Sequence, residues 1–250
     1  MSDWDWPRLI AHRCGGALAP ENTLAGLDIA KRLGCVAVEF DVMLSGDGEP
    51  ILIHDETLDR TAGRSGLVAE LSAAQLTATD VGASHHRAFA GETVPTLAVA
   101  LERCIRLGLA VNLEIKPAAG YELATGREVG RRLAAAGVHL PPVLLSSFSP
   151  DAVLAAAERV PDLPRGLLAE TFGEAALAKA QSLGCAALNV GRDTLQAAHV
   201  AAVQRVGLRC LVYTVNDRTE ALRLFEWNVD GIFSDRPDRI LPILAEHAPY

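Results

Sequence analysis

The chain is poor in positive charge. Its 23 Lys and Arg are outnumbered by 31 Asp and Glu, giving a formal net charge of -8 over 250 residues. No broad basic surface is available to neutralise a row of phosphates, which argues against nucleic acid or an anionic membrane as a partner. One small anion held at a local positive site stays compatible with this charge. Long apolar runs are missing too. No stretch approaches the ~18 consecutive apolar residues of a membrane span. The N-terminal MSDWDWPRLIAHR carries two Asp before an apolar run, LIA, that is too short for the core of a signal peptide. A cytoplasmic location is the expectation. Cysteine is scarce and unpatterned. Cys14, Cys35, Cys104, Cys185 and Cys210 are odd in number, widely spaced and without a CxxC, which suits reduced thiols better than a disulfide framework. Neither a low-complexity linker nor a second composition regime interrupts the sequence, so residues 1–250 are expected to form one domain.

What fills the chain is an alternation. Short β-branched apolar runs recur at residues 8–13, 36–44, 109–116, 143–148, 165–170, 186–190, 209–215 and 230–235. Between them lie Ala/Leu-rich segments with apolar residues at helical spacing. TLAGLDIAKRLG ends on Gly34, a helix stop. SPDAVLAAAERV starts with Ser149 as N-cap and Pro150 at the first helical position. Eight strands, each followed by a helix, predict an α/β fold of the (β/α)8 TIM-barrel type, with an open doubly wound sheet as the alternative. One irregularity stands out. The second strand runs through the turn SGDGEP into EPILIHD, and a polar stretch then continues to about residue 95. This predicts a small insertion at about 55–95, after the second strand.

In such a barrel the chemistry sits at the C-terminal ends of the strands. Those ends are unusually polar here: His12 and Arg13, then Glu39 and Asp41, His54 and Asp55, Glu114 and Lys116, with Glu170, Tyr213 and Asp235 further along. Residues two apart in a strand share a face about 6.7 Å apart. Two carboxylates at that spacing repel by about 2.5 kcal/mol at an effective dielectric of ~20. An internal salt-bridge network with Arg13 and Lys116 would relieve the repulsion. With Glu114 added, three carboxylates favour a hard divalent cation held by oxygen ligands, Mg²⁺ or Ca²⁺ before Zn²⁺. Three carboxylates, a divalent cation, Arg13 and Lys116 together leave one positive charge, which a single phosphodiester anion would cancel. His12 and His54 come from different strands and suit a general acid and a general base. His85, His86, His139, His199 and His247 lack such surroundings and are read as surface or loop residues. Phe148, Tyr213 and Phe233 are candidate pocket walls, and Trp4 and Trp6 candidate covers for the barrel bottom.

The segments IAHRCGGALAPENTLAG, VEFDVMLSGDGEPILIHDETLDRT, LEIKP, YTVND and DGIFSDRPD together resemble the glycerophosphodiester phosphodiesterases, from residue 8 to about 240. The resemblance implies a (β/α)8 barrel with an insertion after the second strand. It implies hydrolysis of glycerophosphodiesters to glycerol 3-phosphate and an alcohol, with one divalent cation. It places His12 and His54 on the acid/base pair, Glu39, Asp41 and Glu114 on the metal ligands, and Arg13 and Lys116 near the phosphate. Glu21 and Asn22 fall in an ENT motif, read as support for the loop after the first strand, with Thr23 as a helix cap. The sequence departs from the family pattern at Cys14, where members more often carry glycine; this bears on loop geometry and leaves His12 and Arg13 in place. Soluble diesters such as glycerophosphocholine or glycerophosphoethanolamine are the expected substrates. The alternatives are a lysophospholipase D-like phosphodiesterase, an enolate-forming aldolase or lyase on a similar barrel, and a phosphate-ligand binding protein without turnover.

Overall fold

A computed structural model describes residues 6–246. Among them, nine strands make one sheet: β1 (Leu9–Ala11), β2 (Ala37–Leu44), β3 (Pro50–Leu52), β4 (Ala110–Ile115), β5 (Val143–Ser147), β6 (Arg165–Ala169), β7 (Ala187–Gly191), β8 (Arg209–Tyr213) and β9 (Gly231–Ser234). All except β3 pair in parallel, and β1 pairs with both β2 and β9, so the eight parallel strands close into a barrel. The helices that follow the barrel strands are α1 (Leu24–Leu33) and, after β3, α5 (Leu97–Leu107), α6 (Glu122–Ala136), α7 (Pro150–Ala157), α8 (Glu174–Ser182), α9 (Ala197–Arg205), α10 (Arg218–Glu226) and α11 (Pro237–Glu246). Thr23 caps α1 through a bond from the Gly26 amide, Gly34 ends it in the left-handed region, and Ser149 caps α7 with Pro150 behind it. The architecture is the expected TIM barrel. Among the described residues no helix is long and apolar enough to cross a membrane.

Strand β2 explains the barrel's two-sided character. Val38, Phe40 and Val42 face outward into a core shared with Leu27 and Ala30 of α1 and Leu101 and Cys104 of α5. Fully burying an aromatic side chain such as Phe40 stabilises the fold by roughly 2–3 kcal/mol. The alternate residues Ala37, Glu39 and Asp41 face the barrel interior. That interior is apolar toward one end, where Ile10, Ala37, Leu144, Ala187 and Leu211 cluster and Trp6 packs against them. Trp6 thus covers the barrel bottom as the sequence suggested; Trp4 and His247 lie outside the described residues. Toward the strand C-termini the interior turns polar. Register pairs Asp41 with Glu114 and Glu39 with Asn112 across β2 and β4.

The insertion begins with the β2–β3 hairpin and continues through three short helices, α2 (Asp59–Ala62), α3 (Ala73–Thr77) and α4 (Gly82–His85). It has a small core of its own, in which Ile51, Ile53, Leu58, Val68, Leu76 and Val81 pack against Met43 of β2 and Ala118. A carboxylate oxygen of Glu92 accepts from the Ala25 amide at 2.9 Å. That contact places a negative charge at the positive end of the α1 dipole and ties the insertion to the barrel.

Candidate active site

The turn after β1 has to be unusually tight. Its residues Arg13, Cys14 and Gly16 have φ of 47°, 73° and 60°. Gly16 is required there, because a Cβ would sit 2.3 Å from the carbonyl oxygen of Asp235. Cys14 carries a side chain at a left-handed position, a strain on the order of 1–2 kcal/mol. Its thiol is fully buried in the core with Leu27, so it points away from the cavity. The family departure at this position therefore alters the packing behind the loop, and the loop still reaches its place: the Arg13 amide donates to Glu39 Oε2 at 2.7 Å and the Cys14 amide to the Glu39 carbonyl at 2.7 Å.

The seven residues singled out in the sequence meet around one cavity of about 450 Å³ at the C-terminal mouth of the barrel: His12 and Arg13 after β1, Glu39 and Asp41 on β2, His54 after β3, Glu114 on β4 and Lys116 just beyond it. Oxygens of Glu39, Asp41 and Glu114 lie within 4.8 Å of one another. The three residues are 2%, 1% and 8% exposed. Burial, and then the charges of Asp41 and Glu114, drive the Glu39 carboxyl well above the usual range. Burial, with the Asp41 charge next, pushes Glu114 up to about 7. Several polar contacts offset part of this repulsion. Asn22 donates to Asp41 Oδ2 at 2.9 Å and accepts from the Asp41 amide at 3.0 Å, and Lys116 Nζ reaches Glu114 Oε1 at 3.4 Å. Glu39 Oε1 is buried with no hydrogen-bond partner. A buried, unpartnered carboxylate oxygen facing two more carboxylates is the donor set of a hard divalent cation.

Each histidine is oriented by a carboxylate. His54 Nδ1 is 2.5 Å from Asp55 Oδ1, and His12 Nδ1 is 2.6 Å from Asp235 Oδ1. The hydrogen bond from Arg60 is the largest reason that Asp55 is held down to about 2. Burial pushes Asp235 up, but the bond and charge of His12 and the amide of Asn216 outweigh it, and the carboxyl falls below its ordinary value. Both carboxylates are therefore ionised and can only accept, so each Nδ1 carries the proton and each Nε2 is left for chemistry. Burial lowers the His54 imidazole below its ordinary value; the charges of Arg13 and Lys116 add to this, while Asp41 and Asp55 oppose it.

Arg60 links the two sides of the site. From the insertion it donates to Asp55 at 2.6 Å and to both oxygens of Glu21 at 2.6 and 2.8 Å, and Glu21 in turn receives Arg13 at 3.2 Å. Its planar fork thus fixes the partner of His54 and the partner of Arg13 together. Arg60→Gln is expected to lower kcat/KM on the order of ten-fold through misplacement alone. Removing the cation also favours the imidazolium, so the acidic limb of the pH–rate profile should move to higher pH. A profile measured on the variant that keeps the wild-type limb would count against this coupling.

Asp235, Asn216, Arg60 and the direct bond from Asn22 were not assigned roles from the sequence. Asp235 stood at a strand end, and a left-handed φ of 56° at Asn22 is a conformation asparagine tolerates; Arg60 reaches Glu21 across 39 positions, a pairing with no local signature. Of the remaining histidines, His85, His86 and His139 are exposed, while His199 is half-buried and stacks on Phe172 at 4.4 Å.

A barrel that gathers paired imidazoles and an acidic cluster at this end is an enzyme, and the two flanking cations fit it to an anionic substrate. Comparison with known proteins narrows the class. A sequence model of the glycerophosphoryl diester phosphodiesterase family matches residues 12–239. The glycerophosphodiester phosphodiesterase of Caldanaerobacter subterraneus subsp. tengcongensis is 30% identical over 244 residues, covering 95% of this chain and 98% of its own. The Bacillus subtilis glycerophosphodiester phosphodiesterase is 28% identical over 250 residues, covering 92% and 83%. The structure of an Oleispira antarctica phosphodiesterase in complex with the product sn-glycerol-3-phosphate superposes with a TM-score of 0.91 at 35% identity, covering 96% and 97%. The chain belongs to the glycerophosphoryl diester phosphodiesterase family and is a phosphoric diester hydrolase.

Proposed function

We propose that the protein hydrolyses water-soluble glycerophosphodiesters, such as glycerophosphocholine and glycerophosphoethanolamine, to glycerol 3-phosphate and the free alcohol. The observation that carries this reading is the meeting of three buried carboxylates with two carboxylate-oriented imidazoles around one cavity. The product bound to the Oleispira antarctica phosphodiesterase supports the glycerol 3-phosphate half.

Glu39, Asp41 and Glu114 would hold one Mg²⁺ or Ca²⁺. When bound, that cation supplies Lewis-acid polarisation of a phosphoryl oxygen. Arg13 grips a nonbridging oxygen with its fork, and Lys116 adds a point charge beside it. His54, whose proton affinity is lowered, takes on Nε2 the proton of the attacking group, which is either a water or the glycerol 2-hydroxyl. In the second case the P–O bond to the alcohol breaks to leave a cyclic phosphate, which a water then opens to glycerol 3-phosphate. His12 gives a proton to the departing alkoxide, and Asp235 stabilises the imidazolium from Nδ1. Arg13 Nε also lies 3.7 Å from Asp41 Oδ2, so Asp41 would stand between the cation and the arginine that flanks it.

Glycerol 3-phosphate release from glycerophosphocholine tests the reading. Release should stop in EDTA and return with added Mg²⁺ or Ca²⁺. Release that ignores EDTA, or no release from any glycerophosphodiester with either ion, counts against it.

A further inference from the structure

One carboxylate in the cavity takes no part in the arrangement above. Glu170 follows β6 and lines the cavity. Its carboxylate makes no hydrogen bond or ion pair with any described residue. Two aromatic rings line the same cavity. Phe148, which follows β5, and Tyr213, at the end of β8, meet edge to face with centroids 6.0 Å apart and planes at 83°. Tyr213 is fixed by donating its hydroxyl to the Ala169 carbonyl at 2.8 Å. Burial first, then the charges of Glu114 and Glu170, keep its phenol neutral far above its ordinary range. Phe148 is 42% exposed, a large apolar surface left open at the mouth of the site.

Charge decides what fits. The other carboxylates at this mouth are answered: Glu21 by Arg13 and Arg60, Asp55 by His54 and Arg60, Asp235 by His12, while Glu39, Asp41 and Glu114 would share a divalent cation. Glu170 has no such partner, and it lines the same cavity as two ring systems with electron-rich faces. A carboxylate and two perpendicular rings attract a soft cation and offer little to a neutral polyol, which needs several hydrogen-bond partners. Lys116 already lies 5.9 Å from the Phe148 centroid, but its ammonium is paired with Glu114 at 3.4 Å and leaves Glu170 unanswered.

We propose that Glu170, Tyr213 and Phe148 form a subsite for a positively charged leaving alcohol, an alkylammonium such as choline, so that the enzyme prefers diesters of cationic alcohols over those of neutral ones. This rests on the hydrolase reading above and adds the alcohol it selects.

The test compares kcat/KM for glycerophosphocholine and for glycerophosphoglycerol, whose alcohol is neutral, in wild type and Glu170→Gln. The wild-type ratio should favour glycerophosphocholine, and the ratio should fall about ten-fold in the variant, the size of one well-placed ionic or cation–π contact. Glu170 is exposed, so the substitution leaves the core intact; Phe148→Ala should lower the ratio as well. A ratio near one in wild type, or one that Glu170→Gln does not move, overturns the subsite and leaves the diesterase standing. If wild type releases glycerol 3-phosphate from neither diester, the hydrolase reading fails and choline titration judges the subsite. Binding lost in Glu170→Gln then upholds it; binding absent or equal in both proteins refutes it.

Discussion

Replacing His54 with alanine is expected to lower kcat for glycerophosphodiester hydrolysis by at least about 100-fold, and His12→Ala by a similar factor. The expectation follows from how the two rings are held. Asp55 and Asp235 accept from Nδ1 at 2.5 and 2.6 Å, so each ring presents Nε2 in a fixed direction. No other histidine among the described residues lines the cavity, and none can substitute. His54 binds its proton less tightly than a free histidine because of its burial. The acidic limb of the pH–rate profile, set by this base, should therefore lie below the ordinary histidine value of about 6.5. The two losses act on one proton-transfer unit, so the double variant should be little worse than either single one. Steady-state kinetics on the three variants checks this. If neither single substitution lowers turnover by ~100-fold, the acid/base assignment is wrong.

Glu39→Gln should abolish metal-dependent turnover and, in the metal-free protein, raise the melting temperature. The sign comes from the carboxyl shifts. Glu39 is raised well above its ordinary 4.5 by burial and by two like charges, and Glu114 is raised to about 7. A carboxyl that holds its proton more tightly in the folded state contributes stability below its ordinary pKa. That contribution is lost as pH rises through the folded value. The metal-free protein should therefore lose stability between pH 4.5 and about 7, and Gln at position 39, uncharged at every pH, should lose less. For a chain of this size each 1 kcal/mol recovered raises the melting temperature by roughly 2–4 °C. A divalent cation should stabilise wild type in proportion to its binding, more strongly at pH 8 than at pH 5, and the variant hardly at all. Thermal unfolding in EDTA and in added Mg²⁺ or Ca²⁺ reads both effects. A variant that melts below wild type in EDTA at pH 8 would mean that the three carboxylates do not repel as their burial implies.

The parts of this site that could be read from the sequence are those whose cause is local. Glu39 and Asp41 are two apart in a strand, so a shared face follows from the pleat, and the surrounding Val38, Phe40 and Val42 mark the other face. His12, Glu114 and Lys116 end strands whose parallel order was predictable from the helices between them. His54 was legible because SGDGEP forces a hairpin. What could not be read was set by tertiary placement. Arg60 lies in a polar stretch with no periodicity, and its role appears only when the insertion folds back to bring it against Glu21. Asp235 shares no local pattern with His12, 223 positions away; the barrel brings them together by pairing its first and last strands. Asn22 was read as loop support and proves also to hold Asp41 directly, because the tight turn after β1 swings its side chain inward. The short helices of the insertion escaped notice because single turns are too brief to show a helical period.

The β2–β3 hairpin has a consequence for how such enzymes can diversify. The barrel supplies the acidic cluster of Glu39, Asp41 and Glu114 together with His12 and Arg13, whereas His54, Asp55 and Arg60 come from an insertion with its own small core. The two pieces are joined by the hairpin and by side-chain contacts such as Arg60 to Glu21 and Glu92 to the Ala25 amide. The insertion's outer surface can accept substitutions, extra loops or a partner without touching Glu39, Asp41 or Glu114. Part of the cavity's charged lining is thus inherited with the scaffold and part with a replaceable module, which leaves this lineage free to alter one wall of the cavity while keeping the acidic cluster.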